Sequence, residues 1–180
     1  MRRVVLAIGV LTAGAAGVSL GLSGTSANAV PACRFDMPVG PPNASGYYDA
    51  QPFGANYHLG SDWSSVKGGD SDLGFFVFAA SDGVVTDAQD YEGGWGNVIR
   101  IQHACGDRVE SLYAHLDRRY VVRGARVARG QPIGTIGTAG GRYRAHLHFE
   151  IRDRWLPLGG GYAADRTGYL DPTDYIRHHR

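Results

Sequence analysis

Apolar and polar residues alternate strictly over His146-Leu147-His148-Phe149-Glu150-Ile151, the pattern of a half-buried β-strand. Residues two apart on a strand point to the same face. His146, His148 and Glu150 therefore share a polar face, and Leu147, Phe149 and Ile151 an apolar face that packs into a core. Short apolar and aromatic runs predict further strands over 75–80, 83–88, 97–102, 108–115, 126–128 and 132–138. Turn residues separate them, among them Ser81-Asp82-Gly83, Gly93-Gly94 and Gly140-Gly141. Many short strands with frequent turns predict an all-β fold, a compact antiparallel β domain built of hairpins. No long stretch has helical period; one short helical turn is expected after Asp171, which can cap it ahead of Pro172. Residues 30–50, rich in Pro, Gly, Asn and Ser, read as an irregular lead-in, and residues 68–74 as a surface loop. The domain proper is expected over 51–175, followed by a charged tail, 176–180, with solvated histidines.

The chain has 180 residues, enough for one domain with a real core. Charge is nearly balanced, 18 basic against 17 acidic residues, with no polybasic run. That excludes a nucleic-acid footprint. Residues 1–29 have the form of a signal peptide. Arg2 and Arg3 precede a mostly apolar run from Val4 to Leu22, and Ala27-Asn28-Ala29 is a small-x-small cleavage signal. Glycines 9, 14, 17 and 21 interrupt the run, which argues against a permanent membrane anchor. Export implies an oxidising compartment, where Cys33 and Cys105 are expected to form a disulfide. It would close a loop of about 70 residues, worth about 4 kcal/mol in the chain-entropy picture.

Five side chains carry the candidate chemistry. His146 and His148 sit with Cα atoms roughly 6.6 Å apart, at about 3.3 Å per residue, close enough to serve one metal ion. In His58-Leu59-Gly60-Ser61-Asp62 a tight bend through Gly60 lets an imidazole and a carboxylate converge. His115 closes the strand that carries Leu112 and Ala114. Together these supply three ligands for a Zn²⁺ ion and two spare imidazoles to move protons near pH 7. The residues themselves do not say which of His146 and His148 is the ligand. His103 reads as structural. Without HExxH no glutamate takes the metalloprotease base role, without GxSxG in the mature chain a serine elbow is unsupported, and Asp70-Ser71-Asp72 lacks the glutamate that would complete an EF-hand.

The motifs His58-Leu59-Gly60-Ser61-Asp62-Trp63, Ala79-Ala80-Ser81-Asp82-Gly83, Gly94-Trp95-Gly96-Asn97, Tyr113-Ala114-His115-Leu116, Arg129-Gly130-Gln131-Pro132-Ile133-Gly134 and His146-Leu147-His148-Phe149-Glu150 resemble, in order, those of the lysostaphin-like zinc endopeptidases, which cut peptide cross-links in bacterial cell walls. The resemblance implies a groove over a zinc site. His58, Asp62 and His148 would be the ligands, and His115 and His146 would flank the reacting water and the substrate carbonyl. It implies an exported, monomeric enzyme acting on peptidoglycan peptides. Glu150, on the histidine face, is expected either to orient a ring or to be a plain surface carboxylate, and Tyr113, Tyr143 and Trp95 either to line the groove or to pack in the core or on the surface. Two alternatives are a secreted protein-degrading metalloendopeptidase and a non-catalytic wall-binding or regulatory module. Where the family often has Pro before its HxH, this chain has Ala145, a change expected to loosen the approach to the strand. A neutral imidazole base implies activity falling below about pH 6.5.

Overall fold

The structure, a computed structural model, describes residues 33–104 and 108–180. The expected leader, 1–29, and Cys105 lie outside the described residues. Eleven strands follow one another: β1 (Tyr47–Gln51), β2 (Ser61–Ser65), β3 (Phe76–Phe78), β4 (Gly83–Asp90), β5 (Asn97–Ala104), β6 (Arg108–Leu116), β7 (Arg118–Arg119), β8 (Arg126–Val127), β9 (Pro132–Thr135), β10 (Leu147–Arg152) and β11 (Tyr169–Leu170). Among the described residues one α-helix, α1 (Pro172–His178), follows β11. All strand pairs are antiparallel. A large sheet has the order β1-β2-β10-β6-β5-β4-β8, with β11 added beside β10, and a small one has the order β3-β9-β7.

The alternation in β10 holds as read. Leu147, Phe149 and Ile151 are fully buried in the main core, with Ile99 and Ile101 of β5, Val109 and Tyr113 of β6, and Val77 and Ile133 of the small sheet. Each such side chain contributes about 1.5–3 kcal/mol by leaving water. The opposite face of the large sheet carries the polar row of β10 and a small apolar cluster, Val98, Leu112 and Ala114. Asp171 caps α1 by accepting from the Thr173 and Asp174 amides, ahead of Pro172 at the first turn. No helix among the described residues is long and apolar enough to cross a membrane.

Several expectations need correction. The lead-in is not irregular throughout: it ends in β1, and Phe35, Met37 and Val39 are buried in the main core. β2 is a strand although its sequence, Ser-Asp-Trp-Ser-Ser, lacks apolar alternation; pairing on both edges, with β1 and β10, decides its conformation. Residues 68–74 are a surface loop, as expected, in which Asp72 alone is buried, and the loop is tied down. Asp72 is buried and accepts from the Ser65 amide at 2.9 Å, and Asp70 accepts from the Ala145 amide at 2.7 Å. Ala145 therefore does not loosen the approach to β10: it supplies an N–H that proline lacks. The tail is also partly packed, since His179 stacks on Tyr175 at 4.0 Å.

His103 is structural, as read. Its Nε2 lies 2.7 Å from Ser111 Oγ and its Nδ1 2.8 Å from the Asp82 carbonyl. Burial lowers its pKa to about 4. The unfolded chain, with an ordinary value near 6.5, takes up the proton first. The stability this neutral imidazole gives above pH 6.5 is therefore lost as pH falls toward 4, about 3 kcal/mol in full. Urea unfolding at pH 7 and at pH 4.5 checks this. The chain should lose more stability over that step than its His103→Gln variant, and equal losses would contradict the assignment.

Candidate metal centre

The register of β10 against β2 sets His148 directly opposite Asp62. His58 enters from the bend just before β2. His58 Nε2 lies 3.0 Å from His148 Nδ1 and 3.4 Å from Asp62 Oδ1, and His148 Nδ1 lies 2.8 Å from Asp62 Oδ1. A tetrahedral zinc ion with bonds of about 2.0–2.1 Å holds its ligand atoms roughly 3.3 Å apart, so the three atoms have the spacing of one coordination face. The outer nitrogens fix both tautomers. His58 Nδ1 donates to the Gln51 carbonyl at 2.9 Å, and His148 Nε2 donates to Glu150 Oε1 at 2.9 Å. The inner nitrogen of each ring faces the shared point, and it presents a lone pair to an ion once the proton it shares with Asp62 in the ion-free site has left.

The electrostatics favour a cation at this point. Burial alone would raise the Asp62 carboxyl, but hydrogen bonds from His148 and His58 hold it far below the ordinary carboxylate range. Burial alone would lower His148, but Asp62 and Glu150, one on each ring nitrogen, raise it to about 9.

His115 reaches the same face through a bulge. Tyr113, two residues earlier, points the other way, into the core, where its hydroxyl accepts from the Ala80 amide. Simple alternation would send His115 there too. Instead β6 spends an extra residue against β5, between the pairs Ile99–Tyr113 and Asn97–Leu116. His115 takes φ +63°, an uncommon left-handed conformation for a non-glycine residue that re-aims its side chain. Its ring then sits 5.4 Å from His148 and 4.7 Å from His146. Nδ1, 3.4 Å from the Trp95 carbonyl, favours the tautomer with Nε2 free. Burial, then the His148 and His146 charges, lower His115 to about 3. His146 donates from Nδ1 to the Arg144 carbonyl at 2.8 Å, and its Nε2 lies 3.8 Å from Asp62 Oδ2. All five residues singled out in the sequence meet around one point.

His58, Asp62, His115 and His148 line a cavity of about 280 Å³ whose other walls include Trp95, Tyr143, Tyr162 and Gly160-Gly161. Trp95 and Tyr143 were expected there; Tyr113 was not found there, because it lies in the core. Gly159, Gly161 and Tyr162 went unnoticed in the sequence. They belong to a strap, residues 153–168, held across the site by bonds from Trp95 Nε1 to the Gly159 carbonyl and from the Leu59 amide to the Gly161 carbonyl, both 2.9 Å. The Gly159-Gly160-Gly161 run was the available signal. Glu150 is fully buried against His148, not a surface carboxylate.

An antiparallel sheet presenting a His-Asp-His face, with two further imidazoles beside it and a groove above, defines a metallopeptidase-type centre. The sequence profile of Peptidase family M23 matches residues 56–160, and the chain belongs to that family. It is similar to the DD-carboxypeptidase/endopeptidase Mpg of Neisseria meningitidis serogroup B, 38% identical over 117 residues, 65% of this chain and 25% of Mpg. It is also similar to the murein hydrolase activator EnvC of Escherichia coli, 40% identical over 90 residues, 50% of this chain and 20% of EnvC. The chain spans about a quarter or less of the length of these curated relatives. Among solved structures, the catalytic domain of the antimicrobial peptidase lysostaphin from Staphylococcus simulans matches with TM-score 0.55 and 25% identity, over 72% of this chain and 90% of that one. The expected kinship with lysostaphin-like peptidases and the antiparallel β fold both hold.

Gly60 leaves room for the His148 ring. A Cβ there would lie 2.5 Å from the Phe149 carbonyl oxygen and 2.9 Å from His148 Cε1. Gly60→Ala should push β10 away from the bend and lower the zinc retained per chain severalfold, read by atomic emission on purified protein. Unchanged zinc content would show that the packing does not set the ligand geometry.

Proposed function

We propose that this chain is an exported zinc-dependent endopeptidase that hydrolyses peptide bonds in bacterial peptidoglycan. One observation carries the reading: the convergence of His58, Asp62 and His148, each presenting a deprotonatable ligand atom to one point, with two more histidines beside it. Mpg, by its name an endopeptidase, supports the reaction class, and the signal-like residues 1–29 support export. The 51–175 segment is the enzymatic unit, acting as a monomer outside the cytoplasm without a stable membrane anchor.

His58 Nε2, Asp62 Oδ1 and His148 Nδ1 would hold the ion. When bound, zinc supplies Lewis-acid polarisation of a carbonyl and a water of lowered pKa. Trp95, Tyr143 and Tyr162 hold the peptide in the groove and exclude bulk water. His115, kept neutral by burial, accepts the proton of the attacking water at Nε2. His146, whose Nδ1 donates to the Arg144 carbonyl, steadies the developing oxyanion in the form that also carries a proton on Nε2, from which it donates.

A second reading is a non-catalytic activator, favoured by the likeness to EnvC. The complete set of five side chains favours the enzyme. His148→Ala should lose both bound zinc and release of amines from purified cell walls. His115→Ala should keep zinc and lose about 10²–10⁴-fold in turnover. A fully active His115→Ala chain would remove that residue from the mechanism, and a wild-type chain that binds walls without cutting them would favour the activator. The Cys33–Cys105 disulfide belongs to the same exported picture. Intact-mass measurement of the mature protein should give a value two hydrogens below the reduced chain, and two free thiols would end that part of the proposal.

A further inference from the structure

The polar row of β10 does not stop at Glu150. Arg152, fully buried, donates from Nε to Glu150 Oε2 at 2.6 Å. Its Nη1 lies 3.6 Å from Glu110 Oε1 on β6. Glu110 Oε1 in turn accepts from Arg100 on β5, at 3.0 Å from Nε and 2.6 Å from Nη2. Arg100, Glu110, Arg152 and Glu150 are each no more than 3% exposed. They form a row of alternating charge across three strands, with no net charge, ending on the nitrogen of His148 that points away from Asp62.

Both arginines also reach the strap. Arg100 Nη2 donates to the Leu156 carbonyl at 2.6 Å and Arg152 Nη1 to the same oxygen at 3.2 Å. Trp155 lies over the Arg100 guanidinium at 5.2 Å, and Tyr169, where the strap rejoins the sheet as β11, lies over Arg152 at 5.1 Å. The middle of the strap carries Gly161 and Tyr162, the latter 5.1 Å ring to ring from His58.

Burying four charges is not an efficient way to stabilise a fold, since well-packed apolar residues often do as well or better. What a paired guanidinium provides is direction, because its rigid fork holds several acceptors at set angles. We propose that Arg152 is a positioning residue with two outputs: through Glu150 it fixes the ring of His148 toward the metal, and through the Leu156 carbonyl it pins the strap that walls the groove. Metal affinity and the fit of the groove wall are thereby coupled. This rests on the metal reading of the site above.

The test uses the full mature chain and Arg152→Lys, which keeps the charge but not the fork. Zinc affinity is measured by competition with a chromogenic chelator, and strap anchoring by hydrogen–deuterium exchange at the Leu59 and Ala163 amides, which bond across to the strap and from it. Neither readout needs a substrate. Arg152→Lys should bind zinc 10–100-fold more weakly and exchange faster at both amides, while thermal unfolding stays cooperative. Zinc affinity within twofold of wild type, or a change in only one readout, would overturn the coupling. Should Arg152→Lys not fold, Arg100→Lys, one link further out, should show smaller shifts of the same sign; wild-type values for both readouts there would overturn the proposal. Failure of the metal reading looks different, since the wild-type chain itself would then take up no zinc.

Discussion

The pairing of β10 with β2 is the constraint on which the site depends. In that register His148 stands opposite Asp62, and a slip of one residue would carry every polar side chain of β10 into the core. The apolar face enforces the register. Leu147, Phe149 and Ile151 can be buried together only one way round, so the free energy that folds the sheet also sets the ligand spacing. The site needs no separate scaffold, and His58 is added from the bend that leads into the same strand.

The chain accepts local costs to complete this arrangement. His115 adopts left-handed backbone geometry, typically a cost of order 1–3 kcal/mol. A compact packing holds it: Gly137 lies so close beneath that a Cβ would come 2.5 Å from the His115 carbonyl oxygen, and the Gly137 carbonyl accepts from the His146 amide. One glycine therefore seats both flanking histidines. The buried charge row beneath His148 is a second such cost. Strain and desolvation are concentrated where side-chain direction matters most, while the rest of the sheet is ordinary apolar packing.

Much of this was legible in the sequence. The two faces of β10 followed from period-2 alternation, and the capped helix from Asp171-Pro172. The five residues singled out in the sequence converge in the structure, and the ligand atoms of His58, Asp62 and His148 lie together; alternation alone could not separate His148 from His146. Features set by tertiary pairing were not legible. β2 has no apolar alternation that would mark it as a strand, and it becomes one because both its edges are paired. Asp70 and Asp72 read as loop residues and turn out to be anchors, one for Ala145 and one for Ser65. The bulge at His115 leaves no mark in the hydrophobic pattern, and nothing in the sequence around Arg152 marks it as the hub of a buried network.

The most direct test of the central claim is the coordination geometry in crystals of the mature protein grown with zinc, located by its anomalous scattering. The expected result is a single ion about 2.0–2.2 Å from His58 Nε2, Asp62 Oδ1 and His148 Nδ1, with His148 Nε2 still bonded to Glu150. An ion bound elsewhere, or one bound through His148 Nε2 with Glu150 displaced, would contradict it.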